Sequence, residues 1–283
     1  MKSVLGIVAS PRKLGNSEMA VKEIGSQIKE PHQLKMLRLN DFDIQPCLAC
    51  YRCLFGEGKC VQKDEFEPVL DAILQADGLI LAAPTYFLGA NAALKRFLDR
   101  GLAFYSHVDS LWGKPAVGIG IAGIPGKEGY TLLNIRSFLK LMLTDVKGTA
   151  RIYGALPGEI FFSDGNREIL AGLGAALFGS PLPETGPSCP QCGGDTFQFL
   201  GDQKVRCMLC SNDGEMKMGP KGPQFRIDRG DHELFLKKED VIAHGEWLRG
   251  MKDRFSAEKK RLKEISLDYR KGWEWITPDR SSS

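Results

Sequence analysis

The first 180 residues alternate two hydrophobic patterns. Short apolar runs fall at 4–9, 33–38, 78–83, 116–121 and 151–155. Between them lie longer segments, 17–29, 65–75, 90–104, 130–143 and 166–178, in which apolar residues recur every three or four positions. A short apolar run is the signature of a strand buried on both faces, and a three-to-four repeat that of a helix with one buried stripe. Strand–helix alternation over five units predicts an α/β fold, a doubly wound five-stranded parallel sheet with order 2-1-3-4-5 and helices on both faces.

The pattern changes after residue 180. Residues 180–187 (Ser-Pro-Leu-Pro-Glu-Thr-Gly-Pro) read as a linker. A compact cysteine-bearing module follows over 188–228, with a hairpin-like stretch at 196–206 that turns at Gly201-Asp202. The chain then becomes helical over 238–269. Val241, His244, Leu248, Met251, Phe255, Glu258, Leu262, Ile265 and Tyr269 form a heptad-like stripe there, interrupted at His244 and Glu258. Such a helix either lies on its own domain or clasps a second subunit. His244 reads as a packed side chain rather than a ligand, and Trp273 and Trp275 as an anchor or a partner contact. The expected division is 1–180, 181–230 and 231–283.

Composition narrows the function classes. Of 283 residues, 43% are apolar and 26% charged, enough for an ordinary core, and the net charge is only +3. That excludes a strongly basic nucleic-acid binder. Even the module and tail, 187–283, carry 18 basic against 16 acidic residues. The most apolar stretch, 78–94, is broken by Pro84, Thr85, Tyr86 and Asn91, so no membrane helix is expected. Residues 1–9 read as a first strand rather than a leader, because Pro11-Arg12-Lys13 follows directly. A cytoplasmic, reducing setting is the expectation, in which eight cysteines point to metal or redox chemistry rather than disulfides.

The first strand exits into Ser10-Pro11-Arg12-Lys13-Leu14-Gly15-Asn16-Ser17 and a helix. Such a loop offers free amides and the positive end of a helix dipole to a phosphate. Ser10, Asn16 and Ser17 add short donors, Arg12 adds charge and Gly15 permits the turn. The plain alternative is that Ser17 only caps its helix. The pattern resembles the S-x-R-x-x-G-N-[ST] phosphate loop of the NADPH-dependent FMN reductases, within the flavodoxin-like superfamily. Ala83-Pro84-Thr85-Tyr86-Phe87 with Leu94-Lys95-Arg96-Phe97-Leu98-Asp99-Arg100 resembles that family's ring loop and its following helix. Residues 122–129, with Gly123 and Gly126, resemble its third, glycine-rich flavin loop. The resemblance covers roughly 1–180. It implies a flavodoxin-like fold, FMN as cofactor, and isoalloxazine contacts from Pro84, Thr85, Tyr86 and Phe87.

Cys47, Cys50, Cys53 and Cys60 form C-x2-C-x2-C-x6-C. Four thiolates in so short a loop can wrap one small metal centre; ferredoxin-type [4Fe–4S], a single zinc, and reduced free thiols all remain open. This segment resembles the cysteine motif of the iron-sulfur flavoproteins, which implies a [4Fe–4S] cluster. In order 2-1-3, strands two and three stand two spacings apart, about 10 Å, so this loop and the ring loop share one sheet edge. Cys189, Cys192, Cys207 and Cys210 form two C-x2-C knuckles 14 residues apart, a strong four-thiolate signal. Zinc is favoured over rubredoxin-type iron there, since Ser211 stands where rubredoxins usually place glycine.

The expected activity is that of an FMN-dependent oxidoreductase passing electrons among NAD(P)H or ferredoxin, FMN and a [4Fe–4S] cluster. No acid–base catalytic residue is assigned. The alternatives are a cluster-free NAD(P)H-dependent quinone or flavin reductase, and a non-enzymatic adaptor docking through the ribbon and tail. The resemblance also implies a homodimer or homotetramer.

Overall fold

The computed structural model describes every residue except Glu57, Lys221, Lys271, Trp273 and 278–283, so the expectation for Trp273 lies outside the described residues. The chain runs β1 (Lys2–Val8), α1 (Asn16–Ser26), β2 (His32–Arg38), α2 (Arg52–Phe55), α3 (Phe66–Gln75), β3 (Gly78–Tyr86), β4 (Gly89–Ala90), α4 (Ala92–Leu98), α5 (Val108–Leu111), β5 (Pro115–Ala122), α6 (Thr131–Leu141), β6 (Asp145–Tyr153) and α7 (Asp164–Ala176). The ribbon follows as β7 (Phe197–Gly201), β8 (Lys204–Cys207), β9 (Asp213–Gly219) and β10 (Gly222–Ile227), and α8 (Lys238–Asp268) closes the chain.

The long strands lie in the order β2-β1-β3-β5-β6, all parallel, which is the expected 2-1-3-4-5 over five strands. Strands β1, β3 and β5 are buried along most of their length, as their unbroken apolar runs require. One face packs α1 and α7 over Val4, Val8, Ile80 and Ile119. The other packs α3, α4 and α6 over Leu5, Ile7, Leu79 and Leu81, with Phe97 touching the rings of Phe66, Phe104 and Phe138.

Several boundaries differ from expectation for local reasons. The fifth parallel strand begins at Asp145 rather than 151; its first half is an edge with partly exposed Val146, Lys147 and Gly148, which reads as loop. The expected helix 90–104 ends at Leu98 and resumes as a 3-10 segment over Gly101–Ser106. The ribbon hairpin turns at Asp202-Gln203, both left-handed, one residue beyond Gly201-Asp202. A second hairpin, β9–β10, was not expected at all. Leu182, inside the expected linker, donates its amide to Lys147 O at 2.7 Å and packs on the sheet.

Ribbon and tail rest on the α3/α4/α6 face. Val205, Ile227, Phe235 and Val241 belong to the same apolar cluster as Phe66 and Phe138, and Arg136 on α6 pairs with Asp195 at 2.5 Å. On α8, Val241 and Leu248 are buried, whereas Phe255, Leu262, Ile265 and Tyr269 are exposed. The stripe therefore covers its own domain for its first turns and leaves it afterwards. No helix among the described residues is long and apolar enough to cross a membrane.

Candidate functional site

Three loops at the carboxyl ends of β1, β3 and β5 meet in a trough of ≈ 220 Å³, where an open parallel sheet takes its ligand. The trough is lined by Ser10, Arg12, Gly15, Asn16 and Ser17 from the first loop, Pro84, Thr85 and Tyr86 from the second, and Gly123 from the third. The first loop feeds directly into α1. Gly15 is the N-cap and no side chain caps the helix, so the opening amides stay available to an anion. Ser10 and Ser17 are buried. The neighbouring carboxylate, Glu18, is held below the usual carboxylate range, mainly by its hydrogen bond with Lys22, and is also paired with Arg38 at 2.5 Å. Its charge is thereby balanced beside the α1 N-terminus.

Asn16 plays a different part from the one expected. Its side-chain amide donates to Gly154 O at 2.9 Å and accepts from Gly158 N at 2.8 Å, tying α1 to the loop after β6. That loop supplies Gly154, Ala155 and Pro157 to the trough, and Ile121 at the end of β5 completes it; sequence reasoning missed all four. The available signal was the Gly-Ala-Leu-Pro-Gly turn directly after the fifth strand. Gly154 is required there, since a Cβ would lie 2.9 Å from Ile160 N and 3.3 Å from the Asn16 amide.

The ring loop is a tight hairpin. Thr85 pairs with Ala90 and Tyr86 with Gly89, and the turn residues Phe87 and Leu88 are both left-handed, at φ 48 and 66. Two-residue hairpins demand this conformation, and non-glycine residues adopt it at a cost. The hairpin is pinned to α6: Thr85 Oγ1 lies 2.8 Å from Thr131 Oγ1, Tyr130 N donates to Leu88 O at 2.7 Å, and Ala90 N donates to Asn134 Oδ1 at 3.0 Å. Phe87 stands fully exposed at the tip and Gly126 is also exposed; neither lines the trough.

The two cysteine sets differ. The sulfurs of Cys189, Cys192, Cys207 and Cys210 all lie within 4.8 Å of one another, buried, and form the one such set of metal-binding groups among the described residues. Each knuckle closes identically: Gly193 N donates to Cys189 O at 2.8 Å and Ser211 N to Cys207 O at 2.9 Å, both donors left-handed. Hydrogen bonds among the four push Cys189 down to about 7 and Cys207 down as well, while Cys192 and Cys210 are pushed up. So crowded a set cannot carry four negative charges unaided, and a tetrahedral cation resolves this. These residues fit a single ion.

In the 47–60 loop, Cys47 and Cys50 are exposed, Cys53 and Cys60 half-buried, and the four are not drawn together as the ribbon's are. Ala49 and Tyr51 are left-handed, turning the backbone between successive cysteines. Burial pushes the Cys53 thiol up, and Cys60, Cys47 and Cys50 push it further, so the four act on one another. Beneath them lies Arg100, buried, with an Nε–H that has no hydrogen-bond partner. A half-open set of thiols over a buried cation fits a wide anionic sulfur group better than one compact ion. A second, larger cavity of ≈ 340 Å³ is lined mainly by apolar side chains, among them Leu98, Leu102, Tyr105, Leu143 and Leu234, with Lys95, Asp99 and His244.

Residues 2–146 match the family model described as NADPH-dependent FMN reductase. An iron-sulfur flavoprotein of Archaeoglobus fulgidus is 33% identical over 167 residues, covering 56% of this chain and 72% of that protein. One from Methanocaldococcus jannaschii is 31% identical over 183 residues, covering 60% of this chain and 93% of its own length. A solved flavone reductase, at 17% identity, superposes with a TM-score of 0.74 over 98% of this chain and 100% of its own, so its fold extends through the ribbon and tail.

Proposed function

We propose, because this chain belongs to the NADPH-dependent FMN reductase family and to the iron-sulfur flavoproteins, that it exchanges electrons between a hydride or ferredoxin donor, FMN in the trough and a [4Fe–4S] cluster on the 47–60 loop. The chain is a flavin-dependent oxidoreductase. The observation that carries the finer reading is the trough itself: uncapped helix amides at one end, an aromatic hairpin at the other, and a cysteine loop leaving the next strand of the same sheet edge.

FMN, when bound, supplies a centre that takes two electrons as hydride and releases them singly. The amides opening α1, with Ser10, Ser17 and Arg12, would hold its phosphate. Asn16 orients by fixing Gly154 and Gly158 across the trough. Pro84, Thr85 and Tyr86 would bound the ring, and pinning of their hairpin to α6 keeps that boundary rigid. Cys47, Cys50, Cys53 and Cys60 would hold the cluster. In the ribbon, Cys189, Cys192, Cys207 and Cys210 would hold zinc, with a structural role.

An apolar rim surrounds the trough. Phe87, Leu88, Ile124, Tyr130, Leu156 and Phe162 are all exposed. Such a rim supports a homo-oligomer in which a second copy covers the flavin. A cluster-free quinone or flavin reductase is the second reading, favoured by the open spacing of the 47–60 thiols. Visible absorption, iron and acid-labile sulfide on protein purified without oxygen decide between them. Flavin bands with a broad iron–sulfur shoulder are expected. Flavin without sulfide supports the second reading, and a chain that takes up no FMN overturns both.

A further inference from the structure

Helix α4 joins two parts of the site that the reading above treats separately. Its N-terminus leaves the ring hairpin, where Asn91 caps it by accepting from Ala93 N at 2.9 Å. Just beyond its C-terminus stands Arg100, whose side chain is 1% exposed. Its guanidinium reaches both roots of the cysteine loop. One nitrogen donates to Asp64 Oδ2 at 2.6 Å and to Gln45 O at 3.0 Å, and the other to Asp64 Oδ1 at 3.3 Å. Asp64 also accepts from Gln45 N at 2.8 Å and Phe66 N at 3.2 Å. Gln45 comes just before Cys47 and Asp64 just after Cys60, so the clasp closes the loop outside its first and last cysteines.

The clasp sets one guanidinium against one carboxylate, a charge-balanced pair shielded from solvent. The guanidinium lies 4.5 Å over the Phe66 ring, and its remaining Nε–H is buried without a partner. Burial works against the Arg100 charge, and Asp64 together with Cys60 more than offsets it. The guanidinium thus keeps one buried donor that neither Asp64 nor Gln45 takes up.

We propose that Arg100 is a positioning residue for the cysteine loop: it fastens both ends of the loop to the helix that carries the ring hairpin. The clasp does not depend on the iron-sulfur reading; the potential measurement does. The test uses the full-length chain, stripped of iron with a chelator and resupplied with zinc for the ribbon. Iodoacetamide alkylation with peptide mapping then reads the loop. Arg100→Gln is expected to speed modification of Cys53 and Cys60 about tenfold, as when a local opening loses a charge-assisted hydrogen bond. Ribbon cysteines and FMN affinity stay at wild-type values. Arg100→Lys, which keeps the charge but loses the fork, also speeds alkylation.

In the iron-loaded protein both variants move the reduction potential of the centre, because releasing the ends of the loop changes the exposure and hydrogen bonding of its sulfurs. Wild-type alkylation rates in both variants overturn the clasp. An unchanged potential in both overturns the positioning role, since a residue that only stabilises the fold would leave it in place. If Arg100→Gln fails to fold, Arg100→Lys alone decides the clasp. A wild type without iron and sulfide overturns the iron-sulfur reading, while the alkylation result still decides the clasp.

Discussion

Replacing Asn16 by Asp tests where the phosphate sits. The new carboxylate still accepts from Gly158 N, now 2.8 Å away, but loses the donation to Gly154 O at 2.9 Å. That lost bond costs about 1 kcal/mol. The substitution also puts a negative charge beside the amides that open α1. Two unit charges about 7 Å apart at an effective dielectric of about 40 repel by about 332/(40 × 7), or about 1.2 kcal/mol, and a phosphate of charge near −2 brings this to about 2 kcal/mol. The sum, about 3 kcal/mol, weakens FMN binding on the order of a hundredfold. Riboflavin has no phosphate, so Asn16→Asp weakens it only by the lost tether, about fivefold. Asn16→Ala weakens both flavins to a similar small degree. Titration of flavin fluorescence against each variant gives all six affinities. If Asn16→Asp binds FMN as tightly as Asn16→Ala does, the phosphate is not at the α1 terminus and the assignment of the trough fails.

Other expectations follow from single contacts. Stripping the ribbon with a strong chelator releases one metal ion per four thiols and strips hydrogen-exchange protection from β7–β10, while bound FMN stays; protection that survives without metal refutes the metal site. Gly174→Val places a Cβ 2.5 Å from Ile24 O and 2.6 Å from Gln27 Cβ where α7 crosses α1, and lowers stability by about 2–3 kcal/mol, read by denaturant unfolding. Burial raises the Asp64 carboxyl, but Arg100 and the Gln45 and Phe66 amides outweigh it and hold it below the usual range. Its stabilisation is therefore complete above the unfolded value and is lost as pH falls through the lowered, folded one. Asp64→Asn flattens that part of the acid-unfolding curve, and an unaltered curve contradicts the clasp.

The sheet was readable because its central strands are buried on both sides and leave an unbroken apolar run. The edge was less readable: Asp145 to Gly148 pair with β5 but keep partly exposed side chains, so nothing apolar marks them. The β9–β10 hairpin was hidden for a related reason. Residues 213–227 mix Gly, Lys, Met and Pro, and the strand character of β9 and β10 comes from the pairing of β9 with β8 and of β10 with β9 rather than from their own pattern. In the trough, the three loops were legible because each follows directly on a buried parallel strand. The Gly154–Pro157 wall was not, because Asn16 selects it across the fold.

The two cysteine sets show the same division between local and distant causes. In the ribbon, each C-x2-C knuckle turns on its own backbone, and one hairpin brings the two knuckles together. Spacing therefore implies geometry, and the gathered thiols match what the spacing predicts. In the 47–60 loop the spacing fixes only local turns, at Ala49 and Tyr51. Where the loop sits is decided by Asp64 and by Arg100, far along the chain, and by Arg249 of α8, which donates to Leu54 O at 3.1 Å. Spacing alone thus accounts for the gathering of the ribbon thiols but not for the placing of the 47–60 loop, because that loop is fastened from outside its own motif.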